Sequence, residues 1–114
     1  MTHTLDRIPP GTLDMLILKT LTAGRPLHGF EIADAIERAS HEVLQVEEGS
    51  LYPALQRMLI KGWIAGKWGR TTENRRARYY QLTAAGRRQL EQELAGYRRL
   101  SLAIARVIGQ PAPA

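Results

Sequence analysis

The spacing of apolar residues changes twice along this chain of 114 residues, and the two changes constrain the fold more than any other feature. Before Gly62, apolar side chains recur every three or four residues, which is typical of amphipathic helices. From Trp63 to Leu82 the period falls to two, as in β-strands. After Thr83 the helical spacing returns and continues to Ile108. The sequence therefore predicts helices, one hairpin and a long last helix.

Two short helices are predicted first. The first follows a pair of prolines, has Thr12 as its N-cap and ends at Gly24. The second covers LHGFEIADAIERAS, with apolar side chains on one face and charged side chains mostly on the other. The connection HEVLQVE is expected to place a short extended segment against the core.

The third helix contains a proline at position 53. Proline costs little in a first helical turn, because the early amides have no intrahelical acceptor. We therefore expect Ser50, or a residue just before it, to be the N-cap, so that Pro53 lies in or next to the first turn. The stripe Leu51, Leu55, Met58 and Leu59 is expected to be buried. The side chains expected on or near the outward face are those of Ser50, Tyr52, Gln56 and Arg57.

A two-stranded hairpin is predicted after Gly62. WIAGKWGR and ARYYQLT are rich in aromatic and apolar residues, and the polar sequence TTENRR separates them, with Arg75 and Arg76 at or near the tip. Alternation places Ile64, Gly66 and Trp68 on one face of the first strand. It places Arg78, Tyr80 and Leu82 on one face of the second.

The last helix is predicted to start at Thr83, as N-cap, and to end near Ile108. Apolar residues alternate four and three positions apart, a heptad spacing that indicates a helix–helix interface. The predicted interface residues are Leu90, Leu94, Tyr97, Ser101, Ile104 and Ile108. This stripe fits a homodimer better than a helix folded back on its own domain, since a chain of this size offers little other surface.

Positive charge is concentrated in one part of the chain. Residues 57–88 carry nine Lys and Arg against Glu73 alone, whereas residues 1–56 have a net charge of −4. A basic block of this kind points to a polyanion such as nucleic acid, although many charge runs are simply solvated. Arg87 and Arg88, at the start of the last helix, fit either role.

The composition excludes several classes of protein. There is no cysteine, hence no disulfide framework, and no apolar run approaches the roughly 20 residues that span a bilayer. The N-terminus lacks the pattern of a secretory signal, so we expect a soluble cytoplasmic protein. His3, His28 and His41 are scattered without metal-ligand spacing, and no catalytic motif appears. We expect no enzyme, no metal and no cofactor; His28 is expected at a helix end or in the core.

The order of elements predicts a mainly α (α+β) fold, a winged helix-turn-helix with a C-terminal dimerisation helix. The expected organisation is a flexible segment at 1–10, a DNA-binding domain at 11–82, a dimerisation helix at 83–108 and a disordered tail at 109–114. LHGFEIADAI, EGSLYPALQRMLIKGWI and RARYYQLTAAGRRQL resemble the PadR family of transcriptional regulators, in its short version with one C-terminal helix. The likeness runs from Thr12 to about Leu94. Its most specific markers are Tyr52-Pro53-x-Leu55, Gly62-Trp63-Ile64 and Arg78-x-Tyr80-x-Leu82-Thr83 with Gly86.

The resemblance implies a dimeric repressor that binds a palindromic operator and, in some members, is released by a small effector. It also implies that the Tyr52 hydroxyl contacts a phosphate. This chain departs from the family in carrying Glu47 and Glu48 before the third helix, where small polar or proline residues are often found.

The predicted DNA contacts divide by chemistry. Gln56 and Arg57 can hydrogen-bond base edges, with Ser50 and Tyr52 beside them. Lys67, Arg70, Arg75 and Arg76 should bring the wing against the phosphate backbone or into the minor groove. The alternative is that Tyr52 covers the core edge and Arg57 is merely solvated.

Two aromatic residues, Tyr97 and Trp63, are candidates for a pocket that holds a small apolar or aromatic effector, although such residues more often fill a core or an interface. Two other functions remain open, a winged-helix module that binds protein and an architectural protein that binds DNA without sequence preference.

Overall fold

Four helices and five short strands make up the part of the chain that the structure, a computed structural model, describes: residues 6–9 and 11–111. The helices are α1 (Thr12–Thr20), α2 (Gly29–Ala39), α3 (Glu48–Ile60) and α4 (Ala84–Ile108). The strands are β1 (Asp6–Arg7), β2 (Leu27–His28), β3 (Leu44–Gln45), β4 (Ile64–Arg70) and β5 (Arg76–Leu82). The predicted order of three helices, hairpin wing and long helix is confirmed.

The first helix starts differently from the prediction. Gly11, with φ of +84°, is the N-cap of α1, and Thr12 is its first residue; no side-chain hydrogen bond caps this end. The Thr12 amide donates instead to the Pro9 carbonyl at 3.0 Å. Thr12 as N-cap was therefore a wrong prediction, because a glycine in the left-handed region already makes the turn. A 3₁₀ turn, Leu21–Ala23, continues α1 to Gly24, as predicted.

The second helix confirms a role at a helix end for His28. Its Nδ1 accepts a hydrogen bond from the Glu31 amide at 3.4 Å, and the His28 amide donates to the Glu31 carboxylate at 3.1 Å. This reciprocal pair is a capping box. The His28 imidazole therefore has a structural role as a helix cap.

Pro53 lies inside α3, not in its first turn. The helix begins at Glu48, two residues before Ser50, so Pro53 falls in the second turn. A proline there cannot donate to the carbonyl four residues earlier, that of Gly49. Ser50 as N-cap was a wrong prediction, because Glu47 is the N-cap and the helix already begins at Glu48; Pro53 lies next to the first turn, as the prediction allowed.

The hairpin has the predicted faces. Ile64 pairs with Leu82, Gly66 with Tyr80 and Trp68 with Arg78, so the two predicted sets of three lie on the same side of the sheet. A third strand, β2, pairs antiparallel with β5 and was not predicted, since two residues are too short to show a period. The sheet order is β2-β5-β4.

The N-terminal segment is partly structured. Asp6 and Arg7 form β1, a strand that was not predicted, and pair in parallel with Leu44 and Gln45 of β3. Residues 1–5 and 10 lie outside the described residues, as do 112–114 of the predicted tail. At the other end, Gly109 caps α4 with φ of +71°.

The helices and the sheet share one core. Its largest fully buried side chains are those of Ile17, Leu18, Leu21, Ile32, Leu55 and Met58. Thr83 ties the start of α4 to the end of α3, because its hydroxyl donates to the Gly62 carbonyl at 2.6 Å and accepts from the Gly86 amide at 3.0 Å. Thr83 as N-cap is confirmed.

The long helix α4 has two different halves. Its first half packs on α1, and Leu90, only 5% exposed, belongs to the core of its own chain. Leu90 was therefore wrongly predicted at the dimer interface, and Leu94 also packs partly against this core. Most large apolar side chains of the second half are exposed, although Ala105 there is buried. The exposed ones are Tyr97, Leu100, Leu102, Ile104, Val107 and Ile108. Among the described residues, no helix combines the length and the apolar character needed to cross a membrane.

Candidate nucleic-acid interface

The outward face of α3 is wider than its sequence suggested. Leu51, Ala54, Leu55 and Met58 are buried, and all four predicted contact residues of this helix are exposed. The residues directly opposite the buried stripe are Gly49, Pro53, Gln56 and Ile60, all exposed and spaced four, three and four apart. Of these only Gln56 was predicted as a contact residue. The helical spacing of the other three was visible in the sequence, but the prediction selected polar side chains and these three are glycine, proline and isoleucine.

Tyr52 links α3 to the start of α2. Its side chain is about half exposed, and its hydroxyl oxygen would lie 2.8 Å from a Cβ placed on Gly29. Gly29 thus leaves the space in which the phenol ring rests. The amides of Gly29 and Phe30 open α2 and have no intrahelical acceptor, so this end carries partial positive charge. The tyrosine hydroxyl therefore lies at a helix end that favours anions.

Arg57 is held by an ion pair. Its guanidinium donates to the Asp14 carboxylate at 2.8 Å, with the Asp14 side chain 17% exposed and the Arg57 side chain 53%. Neither predicted alternative, a free base contact or a solvated cation, describes this arrangement fully. Asp14 lies 43 residues earlier in the chain, too far for sequence spacing to reveal the pair.

The wing presents four exposed cations. Lys67 and Arg70 lie on β4, Arg76 begins β5, and Arg75 lies in the turn between them, as predicted. The turn is closed by a hydrogen bond from the Thr71 amide to the Arg75 carbonyl at 2.8 Å, with Asn74 at φ of +61°. Arg70 donates to the Asn74 carbonyl at 3.2 Å, which fixes its side chain along the turn.

Trp68 organises two arginines on the wing. The Arg76 guanidinium carbon lies 4.4 Å from the centre of the indole ring and that of Arg78 lies 5.9 Å from it, both within the range of cation–π attraction. Neither Trp68 nor Arg78 was predicted as a DNA-binding residue. The signal was available, because the predicted strand faces already placed both side chains on one side of the hairpin.

Tyr80 connects the wing to α3 electrostatically. Burial raises the pKa of its phenol; the Arg78 charge opposes this rise, and Tyr52 adds to it. Arg78 and Tyr80 lie on the same face of β5, and the Arg78 side chain packs against Gly66, the cross-strand neighbour of Tyr80. Tyr80 itself is buried in the core, so the exposed groups here are the wing cations and the half-exposed Tyr52, which contacts the start of α2.

Tyr97 and Trp63 lie far from each other within one chain. The Trp63 carbonyl packs against Gly86, and the Lys61 ammonium lies 4.7 Å from the centre of the Trp63 ring. Tyr97 stands eleven residues beyond Gly86 on α4, or roughly 16 Å along the helix axis. A groove of about 580 Å³ does occur on the outer face of the wing. Neither predicted residue is among its lining residues, which include Pro26, Ala65, Lys67, Gly69, Tyr79 and Gln81.

Comparison with known families agrees with this architecture. The sequence profile described as "Transcriptional regulator PadR-like family" matches residues 17–92, most of the chain. The chain belongs to the PadR-like family. The resemblance noted from its motifs is confirmed.

Solved structures of PadR-like regulators share the fold over most of the chain. A transcriptional regulator from Clostridium thermocellum is 28% identical, with a TM-score of 0.76 over 84% of this chain and 92% of that one. A PadR family transcription regulator from Clostridium difficile is also 28% identical, with a TM-score of 0.73 over 86% of this chain and 99% of that one. The Bacillus subtilis PadR bound to operator DNA is 22% identical, with a TM-score of 0.64 over 73% of this chain and 47% of that one. That last likeness shows the fold alone.

Family and fold identify this PadR-like protein as a transcriptional regulator of the winged-helix type and not as an enzyme. Within residues 6–9 and 11–111, no three His, Asp or Glu side chains cluster as a metal site would require.

Proposed function

We propose that this PadR-like regulator is a cytoplasmic homodimer that binds a palindromic double-stranded DNA operator and represses transcription. The observation that carries the proposal is the set of exposed groups formed by the wing cations, the outward face of α3 and the half-exposed Tyr52 at the start of α2. It combines cations, hydroxyl groups and a helix N-terminus, the donors that phosphate accepts. The operator-bound structure of the B. subtilis PadR supports DNA as the partner.

Sequence reading is assigned to the outward face of α3. Gln56 lies at the centre of this face and can bond the N6/N7 edge of adenine, while Ser50 lies on its flank. Gly49 and Pro53 carry no long side chain, so this face can approach base edges closely. Arg57 reaches DNA only at the expense of its bond to Asp14, or it positions α3 without touching a base.

Phosphate contacts are assigned to the Tyr52 hydroxyl and to Lys67, Arg70, Arg75 and Arg76. These groups fix the register of the protein on the duplex and carry no sequence information themselves. Because each neutralised phosphate releases counterions, the affinity should fall steeply with salt concentration.

Dimerisation is assigned to the second half of α4, whose exposed apolar stripe has no cover in the single chain as described. The predicted interface residues Tyr97, Ile104 and Ile108 belong to this stripe, with Leu94 and Ser101 at its edges. We further propose that a small apolar or aromatic effector binds beside Tyr97 once two chains meet, with Trp63 contributed from elsewhere in the dimer, and releases the DNA.

The test is a footprint on the region upstream of the protein's own gene, with an excess of unrelated duplex as competitor. A protected palindrome that survives competition supports the proposal, and its loss on addition of a planar aromatic compound supports the effector. Protection that spreads evenly over any duplex would indicate an architectural protein instead. Absence of DNA binding would favour a protein-binding module.

A further inference from the structure

Arg78 is a partly buried cation without an anionic partner in the described part of the chain. No ion pair or hydrogen bond to a described residue involves its guanidinium, and its Nε is buried and unbonded. Burying part of a charge without a partner weakens a fold, so proteins rarely keep such a group for stability. The arrangement therefore needs another explanation.

The hairpin is built to hold this arginine in place. A Cβ on Gly66 would lie 2.5 Å from the Arg78 Nε, so the side chain crosses β4 in the space that the glycine leaves. Trp68, the direct cross-strand neighbour of Arg78, provides the ring beside its guanidinium. Arg76 lies closer to the same ring, which places two guanidinium groups around one indole.

Two tyrosine side chains bring hydroxyl groups towards Arg78. Tyr80 lies on the same face of β5 as Arg78 and pairs with Gly66, against which the Arg78 side chain packs. The Arg78 charge and Tyr52 both act on the pKa of the Tyr80 phenol. The Tyr52 hydroxyl in turn rests against Gly29, at the amide end of α2. The Arg78 guanidinium and the half-exposed Tyr52 hydroxyl are donors of the kind that a phosphate oxygen accepts. The Glu31 carboxylate occupies the His28 amide but not the Gly29 and Phe30 amides beside that hydroxyl.

We propose that Arg78, positioned by Trp68 and Gly66, binds a backbone phosphate of DNA at the junction of the wing with α2 and α3. This inference rests on the proposed function and adds a ligand to it, namely the phosphodiester taken up between the wing and Tyr52. Arg78 makes the contact, and Trp68 is a positioning residue that restricts the two guanidinium groups.

The test compares DNA binding with stability in the variant Arg78→Met. Binding should weaken by about 10- to 100-fold, and the slope of log affinity against log salt should fall by about one unit, since one charged contact is lost. The midpoint of thermal unfolding should stay the same or rise, because an unpaired charge has been removed. Arg38→Met serves as the matched control, because Arg38 pairs with Asp34 on the exposed surface of α2; its affinity should stay close to wild type.

Opposite signs for affinity and stability distinguish a ligand from a structural arginine. If Arg78→Met lowers the unfolding midpoint and leaves the salt slope unchanged, the inference is overturned while the proposed function stands. If the wild-type protein binds no duplex at all, both fail together.

A second pair of variants tests the positioning role. Trp68→Leu should weaken DNA binding by about 5-fold with an unchanged salt slope, because the cations remain but are less restricted. Trp68→Phe keeps an aromatic face and should restore most of that affinity. If the two variants bind DNA with equal affinity, the aromatic ring of Trp68 does not position the arginines.

Discussion

At the scale of single residues, the ion pair between Arg57 and Asp14 engages an exposed arginine of α3 in the free protein, so it bears on the proposed contact of this helix with DNA. The pair joins the last turn of α3 to α1, and its carboxylate is mostly shielded from solvent. The arginine therefore has a role in the free protein that a sequence reading of α3 alone does not contain. An arginine on a recognition helix can be a structural contact that DNA must compete for.

The strength of this pair can be measured with a double-mutant cycle. We expect Arg57→Gln and Asp14→Asn each to destabilise the fold, and the double variant to lose less than the sum of the two. The coupling should be about 0.5–1 kcal/mol, the upper range for a partly exposed pair. Urea unfolding of the four proteins provides the value. A coupling near zero would mean that Arg57 is available to DNA at no cost in stability.

Glu93 on α4 gives a residue-scale prediction with a definite sign. Burial raises the pKa of its carboxyl above 4.5; Asp14 adds to the rise, whereas a hydrogen bond from Gln89 and the charge of Lys61 oppose it. Because the folded-state pKa lies above the unfolded one, the folded state binds this proton more tightly. The resulting contribution to stability is present at low pH and is lost as the pH rises through the folded-state pKa.

Glu93→Gln should therefore raise the unfolding midpoint near neutral pH, where the wild-type carboxyl is ionised. The gain should disappear at about pH 4 and below, where that carboxyl is largely protonated. Thermal unfolding at the two pH values measures the difference. Glu91→Gln, at an exposed position of the same helix, is the control. An equal gain for Glu93→Gln at both pH values would show that packing, and not ionisation, causes it.

At the scale of secondary structure elements, two glycines of α4 have opposite consequences. Gly86 packs so closely on the end of α3 that a Cβ there would lie 2.0 Å from the Trp63 carbonyl oxygen. Gly96 has nothing within 4 Å of the same position. The first glycine is therefore required by packing, whereas the second only weakens the helix.

We expect Gly86→Ala to destabilise the fold by about 2 kcal/mol or more, since backbone must move to admit the methyl group. Gly96→Ala, its matched control, should stabilise by about 0.5–1 kcal/mol through helix propensity. Chemical denaturation of the two variants at equal protein concentration gives both values. A neutral Gly86→Ala would show that the contact between α4 and the Trp63 carbonyl is looser than described.

Elements set by local signals were predictable from the sequence, and elements set by contacts between distant residues were not. The Thr83 cap, the alternation along each strand of the hairpin and the end of α4 are set by short-range patterns in the sequence, and these predictions are confirmed. Strand β2 exists only because Leu27 pairs with Tyr80, far along the chain. The same reason explains the missed pair of Arg57 with Asp14 and the contact of Tyr52 with Gly29. For Arg78 the strand face was predicted from the alternation of residues, whereas its lack of a hydrogen-bond partner is visible only in the structure.

At the scale of the whole molecule, α4 both completes the core and extends beyond it. Its 25 residues span roughly 37 Å, while its buried anchor Leu90 lies in the first third of its length. The part that follows carries Tyr97, Leu100, Ile104 and Val107, each at least 49% exposed. Apolar exposure along one stripe of a helix is typical of an interaction surface.

Ile104→Glu should convert the protein into a monomer and reduce operator affinity by at least 100-fold, because it places a charge in the centre of the exposed stripe. A twofold dimer binds two half-sites about 34 Å apart, and a monomer keeps only one set of contacts. Leu102→Glu introduces the same charge on the opposite side of α4 and should leave the dimer intact. Sedimentation equilibrium measures the mass of each variant, and a DNA titration at fixed salt gives its affinity. If Ile104→Glu and Leu102→Glu are equally dimeric, the chains pair through another surface, and the two copies of α3 must then meet DNA in a different geometry.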